Sequence, residues 1–68
     1  MRDWLRIKRQ ERGLTSQFMA EQLGISAPMY SLIESGKRMQ KMDLDTAVKL
    51  AQILRVPITK IIGYETRL

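Results

Sequence analysis

Lys37, Arg38 and Lys41 place three cations within five residues. They follow Ala27 to Leu32, a stretch with no charged side chain. Ammonium and guanidinium groups at that spacing suit the neutralisation of phosphates. An uncharged face just before them fits a surface that meets something other than solvent. Upstream, Ser16 and Gln17 stand in the first turn of a helical stretch, where unpaired backbone N–H groups hold anions. Glu34 makes a different demand. A carboxylate in the last turn of a helix opposes the helix dipole, so a cation has to face it, and Arg9 is the candidate. Covalent chemistry finds no foothold: the chain has no Cys and no His, and no spacing pairs two carboxylates. Without a nucleophile–base couple no enzyme is expected, nor any metal, cofactor or small-molecule ligand.

These groups need a scaffold, and the spacing predicts an all-α one. Thr15 is a good N-cap, and Met19, Ala20 and Leu23 then share one face of a helix over 14–23. Gly24 follows where the chain must turn left-handed. Ser26 caps again, Pro28 fits a first helical turn, and Tyr30 and Ile33 face inward on a helix over 26–35 closed by Gly36. Two short helices joined by a Gly-containing turn form a helix-turn-helix arrangement. Ala27, Pro28, Met29, Ser31 and Leu32 are left looking outward.

Residues 1–12 read as a preceding helix. Trp4 and Leu5 share a face with Met1 and Lys8, while Arg2, Arg6, Arg9 and Arg12 fill much of the remainder. Arg9 apart, these arginines read as a solvated face, and Trp4 reads as core or a subunit contact. Phe18 lies off the main stripe, either an exposed apolar contact or a filler beneath its helix start. Asp43 caps a helix over 43–54, whose Leu44, Ala47, Val48, Leu50, Ala51 and Leu54 form a wide apolar stripe. Arg55 then stands where Gly is usual. Pro57 opens a short fifth helix, closed by Gly63. The domain thus spans 1–63, and 64–68 read as a tail. Val56, Ile58, Ile61, Ile62 and Tyr64 supply more apolar surface than a small core covers, which marks a homodimer interface.

Composition narrows the partner. A chain of 68 residues is one domain and gains from dimerising, since so short a chain buries little of its surface. An apolar fraction of 44% supports a packed core rather than disorder. No apolar run approaches the roughly 18 residues of a membrane span, so no membrane is expected, and the setting expected is a reducing, nucleoid-associated cytoplasm. A net charge of +5 and a pI near 10.1 point to a polyanion, above all to nucleic acid.

The run from Leu14 through Ser26, then YSLIESGKR from Tyr30 to Arg38, then Asp43 with Thr46, Ala47, Leu50, Ala51, Leu54 and Val56, resembles the phage repressor/Cro (XRE-type) family of helix-turn-helix transcriptional regulators. The resemblance covers about residues 4–62. It implies a five-helix repressor-like domain that binds double-stranded DNA as a homodimer at a palindromic operator, with the helix at about 27–35 in the major groove. It implies base contacts from Ala27, Pro28, Met29, Ser31 and Leu32. It implies phosphate contacts from Ser16, Gln17, Lys37, Arg38 and Lys41, and an Arg9–Glu34 ion pair. The chain departs from the family where it matters for readout. Its base-facing positions hold no Gln, Asn, Arg or Lys, the side chains that bond adenine and guanine bidentately. Thymine methyl contacts and DNA shape are what remain. The alternative is a protein-interaction module, an antitoxin or anti-repressor, that uses the same apolar face.

Overall fold

Three polar side chains start three of the helices. Thr15, Ser26 and Asp43 each stand in extended backbone and accept an N–H from the first turn that follows, from Phe18 (3.0 Å), Met29 (3.2 Å) and Thr46 (2.8 Å). The computed structural model describes residues 2–66. Its elements run α1 Asp3–Glu11, α2 Ser16–Leu23, α3 Ala27–Ser35, α4 Leu44–Leu54 and α5 Ile58–Thr66. The all-α, five-helix architecture is therefore the one the apolar spacing predicts. Met1, placed on the buried face of the first helix, lies outside the described residues.

The turns are made by residues that tolerate positive φ. Gly24 ends α2 at φ 71° and Gly36 ends α3 at φ 81°. Two positions lack that glycine. Arg55 closes α4 at φ 55°, and Met39 sits at φ 57° in the loop between α3 and α4. For side-chain-bearing residues that region is sparsely populated, so surrounding contacts must hold them there. Val56 N–H donates back to Ala51 O at 3.1 Å across the Arg55 turn.

Leu5, Met19, Ala20, Leu23, Tyr30, Ile33, Ala47, Leu50, Leu54 and Ile61 form one core to which every helix contributes. α2 and α3 pack directly on each other, with α1 against α3, and α4 against both α2 and α5. Ala20, 2% exposed, keeps the helix contacts close.

Several sequence expectations are corrected here. The stripe on α4 is wider than the core that receives it: Leu44 is 71% exposed and Val48 is 39% exposed. Leu44 belongs to the first turn of α4, beyond the point where neighbouring helices cover it. Gly63 does not close the last helix, and the stretch from Tyr64 is no tail within the described residues, because α5 continues through Gly63 to Thr66. A helical glycine costs about 1 kcal/mol. Beyond it, the Tyr64 ring stacks on Trp4 with centroids 5.1 Å apart, and Glu65 accepts a hydrogen bond from the Trp4 indole at 2.8 Å. Those contacts outweigh the local stop signal. Arg12 stays exposed, as the solvated reading expects, and also donates Nε to Leu54 O at 3.1 Å, a cation at the negative end of α4.

Candidate nucleic-acid interface

The outward face of α3 begins with what its N-terminus offers. Pro28, Ser31 and Leu32 are exposed, and Leu32 shows 40% of its surface. Ala27 and Met29 are half-buried and pack partly on the core. The face therefore centres on Pro28, Ser31 and Leu32, with Ala27 and Met29 contributing only their outer edges. It bears no charge and one hydroxyl, so its chemistry is apolar contact.

The loop beyond α3 is tied to that helix. Lys37 N–H and Arg38 N–H both donate to Leu32 O, at 3.0 and 3.1 Å, so the chain folds back over the last turn. Lys37, Arg38 and Lys41 are exposed, and among the described residues none has a carboxylate partner. Their charge is free for a ligand. Ser16 is half-buried and Gln17 is exposed in the first turn of α2, which carries no acidic residue. The side-chain cap there occupies only the Phe18 amide. The first amides of α2 thus stay open to an anion.

Glu34 ties α1 to α3. Arg9 Nε donates to Glu34 Oε2 at 3.0 Å and Arg9 Nη2 to Oε1 at 3.2 Å, a fork on α1 meeting a carboxylate on α3. Tyr30 Oη donates to Oε2 at 2.6 Å, and Arg9 Nη1 also reaches Leu14 O at 2.9 Å ahead of α2. Only 14% of the Arg9 side chain and 12% of Glu34 are exposed. The hydrogen bond to Glu34 raises the Arg9 pKa, and burial followed by the Glu34 bond holds the Tyr30 phenol far above its ordinary range. Both protons stay in place at any physiological pH. The cluster fixes the tilt of α3, on which the outward face depends.

Arg2 is the residue that sequence reasoning missed. It reads as one more solvated arginine, yet it is 6% exposed, the one buried charged side chain among the described residues. Its Nη1 donates to Ile33 O at 2.7 Å and to Arg38 O at 3.4 Å. Its Nη2 donates to Met39 O and to Gln40 O. Glu65 on α5 grips the other edge of the fork, Oε2 on Nε at 2.9 Å and Oε1 on Nη2 at 3.0 Å. The only sequence signal was the set of unsatisfied carbonyls that any helix end presents.

The residues expected at a dimer interface do not stay together. Ile61 is wholly buried in the core of its own chain, so its place on the interface is withdrawn: its spacing on α5 turns it toward α4, not outward. Val56 and Ile58 are half-buried against the same core, and Tyr64 is half-buried and covered partly by Trp4. Ile62 is 48% exposed. With Met42 and Leu44 it lines a shallow apolar groove of about 220 Å³ between α4 and α5. Phe18 is 40% exposed and lines a separate depression with Arg12, Leu14, Ile53 and Arg55.

A family model described as helix-turn-helix matches residues 5–61. No match is found among curated proteins or among solved structures.

Proposed function

The chain belongs to the XRE-type helix-turn-helix family of DNA-binding regulators, and from that premise we propose that it is a repressor that binds a palindromic operator as a homodimer. The observation that supports this reading is the loop at 37–41. Three exposed cations have no carboxylate partner among the described residues, and the backbone of two of them, Lys37 and Arg38, is anchored through the Leu32 carbonyl to a helix whose outward face is uncharged. Cations of that kind neutralise backbone phosphates, and the helix beside them reaches base edges. Ser16 and Gln17 add a second phosphate site at the start of α2. The absence of bidentate donors on α3 makes discrimination depend on thymine methyls and on how easily the DNA deforms. No helix among the described residues is long and apolar enough to cross a membrane.

Leu32→Ala should leave the salt dependence of binding unchanged and lower preference at one or two base pairs, at positions containing thymine. Met29→Ala should do the same more weakly, since part of Met29 already serves the core. Competition between single-base variants of a bound duplex reads the effect. An unchanged preference in both variants would place the base-reading face elsewhere.

The dimer we propose forms through the α4–α5 groove, with Leu44 and Ile62 as its apolar contacts in place of Ile61. A symmetric pair sets two recognition helices about 34 Å apart, one turn of DNA. Sedimentation at tens of micromolar should give twice the chain mass for the wild type and the chain mass for Leu44→Asp. A wild-type monomer in solution that also binds DNA as a single copy would contradict it.

A further inference from the structure

The C-terminal end of α3 carries no basic residue of its own. Its carbonyls are met from the other end of the chain. Arg2 N–H donates to Glu34 O at 2.9 Å, and the Arg2 guanidinium donates to Ile33 O at 2.7 Å. The same guanidinium reaches Arg38 O, Met39 O and Gln40 O, three consecutive carbonyls of the loop. Between them lies Met39 at φ 57°, a conformation that a side-chain-bearing residue holds only under constraint. A planar fork with its donors in fixed directions can clamp carbonyls converging from two sides, which a single ammonium cannot.

The fork is itself held. Glu65 accepts from Nε and Nη2, and its Oε2 also accepts from the Trp4 indole, while Trp4 stacks on Tyr64. Glu65 is 18% exposed and sits on α5, 63 residues from Arg2. Neither arginine nor glutamate touches the cations of the loop through a side chain. Arg2 meets the loop at its backbone carbonyls, and so at its shape, while Glu65 reaches it only through Arg2.

We propose that Arg2 is the positioning residue of the phosphate-contact loop, and that Glu65 couples the placement of α5 to the placement of Lys37, Arg38 and Lys41. The inference rests on reading those three cations as backbone contacts. Arg2 orders the loop before DNA arrives, so the cations bind phosphate without first being gathered. A displacement of α5 releases the fork and loosens the loop, while the base-facing residues on α3 keep their scaffold through Arg9 and Glu34. DNA affinity is then adjustable from α5 without change of sequence preference.

The test compares wild type, Arg2→Lys, Glu65→Gln and Lys37→Ala in two measurements. The first is amide hydrogen exchange of the free protein. Exchange at Lys37 and Arg38 should speed at least severalfold in Arg2→Lys and in Glu65→Gln, with the α2 amides unchanged. The second is a salt titration of binding to a preferred duplex and to random DNA. Each of the two variants should lose about one phosphate contact per protomer. That corresponds to roughly fivefold weaker binding for each lost contact at 0.15 M salt, from a slope of about 0.9 per phosphate. The order of preferred sequences should not move. Arg2→Lys retains a cation at the end of α3, so loss through charge alone is excluded, and Glu65→Gln keeps the test open should Arg2→Lys fail to fold. Wild-type exchange at Lys37 and Arg38 in the folded variants overturns the proposal, and so does a wild-type slope in both. A wild-type slope in Lys37→Ala, with accelerated exchange in the others, leaves Arg2 as the loop's anchor and removes the phosphate reading instead.

Discussion

Glu34→Ala should unfold the domain or bring it to the edge of unfolding. The carboxylate is nearly buried, accepts a fork from Arg9 and a short hydrogen bond from Tyr30, and joins α1 to α3. Its removal strands a guanidinium and a phenol at a site largely shielded from water. Breaking such a pair from one side costs about 3–5 kcal/mol, largely because the remaining charge is left uncompensated. A domain of this size holds only about 0.05–0.15 kcal/mol per residue, so the loss takes most of its stability. Each kcal/mol shifts the melting temperature of a small domain by about 4–8 °C, and a fall of 15 °C or more is expected by circular dichroism. Glu34→Gln keeps an acceptor for either partner and should fall between the two. A Glu34→Ala variant that melts within about 3 °C of wild type would show that the cluster does not hold α3.

Replacing Lys37, Arg38 and Lys41 together by Ala should abolish binding at physiological salt while leaving the fold intact. All three are exposed and none takes part in a side-chain ion pair among the described residues. A dimer loses six phosphate contacts, so the slope of log K against log salt should fall by about five. At 0.15 M salt the affinity should drop by roughly four orders of magnitude, on preferred and random duplexes alike. The same melting temperature in variant and wild type separates lost contacts from lost fold. A triple variant that keeps the wild-type slope would mean that the loop faces away from the DNA backbone.

What the sequence made legible follows the range of the interactions. The caps at Thr15, Ser26 and Asp43 and the glycines at 24 and 36 act within a few residues, and the spacing of Met19, Ala20 and Leu23, or of Tyr30 and Ile33, declares which face goes inward. These were readable. Arg9 opposite Glu34 needed one added argument, the conflict between a carboxylate and a helix end. Arg2 offered no such conflict. Its burial depends on carbonyls from α3, on the loop beyond it and on a carboxylate supplied by α5, none of which lies near it in the chain. Gly63 misled for the same reason: a local stop signal was overridden by Tyr64 and Glu65 packing on α1. Leu44 and Ile61 were misassigned in opposite directions, because an apolar stripe shows which side turns inward but not how far along the helix the neighbours reach.

On the reading proposed above, α3 and the loop beyond it bind duplex DNA with sequence preference as a symmetric pair. Selection of bound sequences from a pool of random duplexes tests it most directly. The prediction is an enriched palindrome whose half-sites lie one helical turn apart, with thymines at the strongest positions and a looser consensus elsewhere. A pool that returns without enrichment at low salt, or an enriched motif with no dyad, would contradict it.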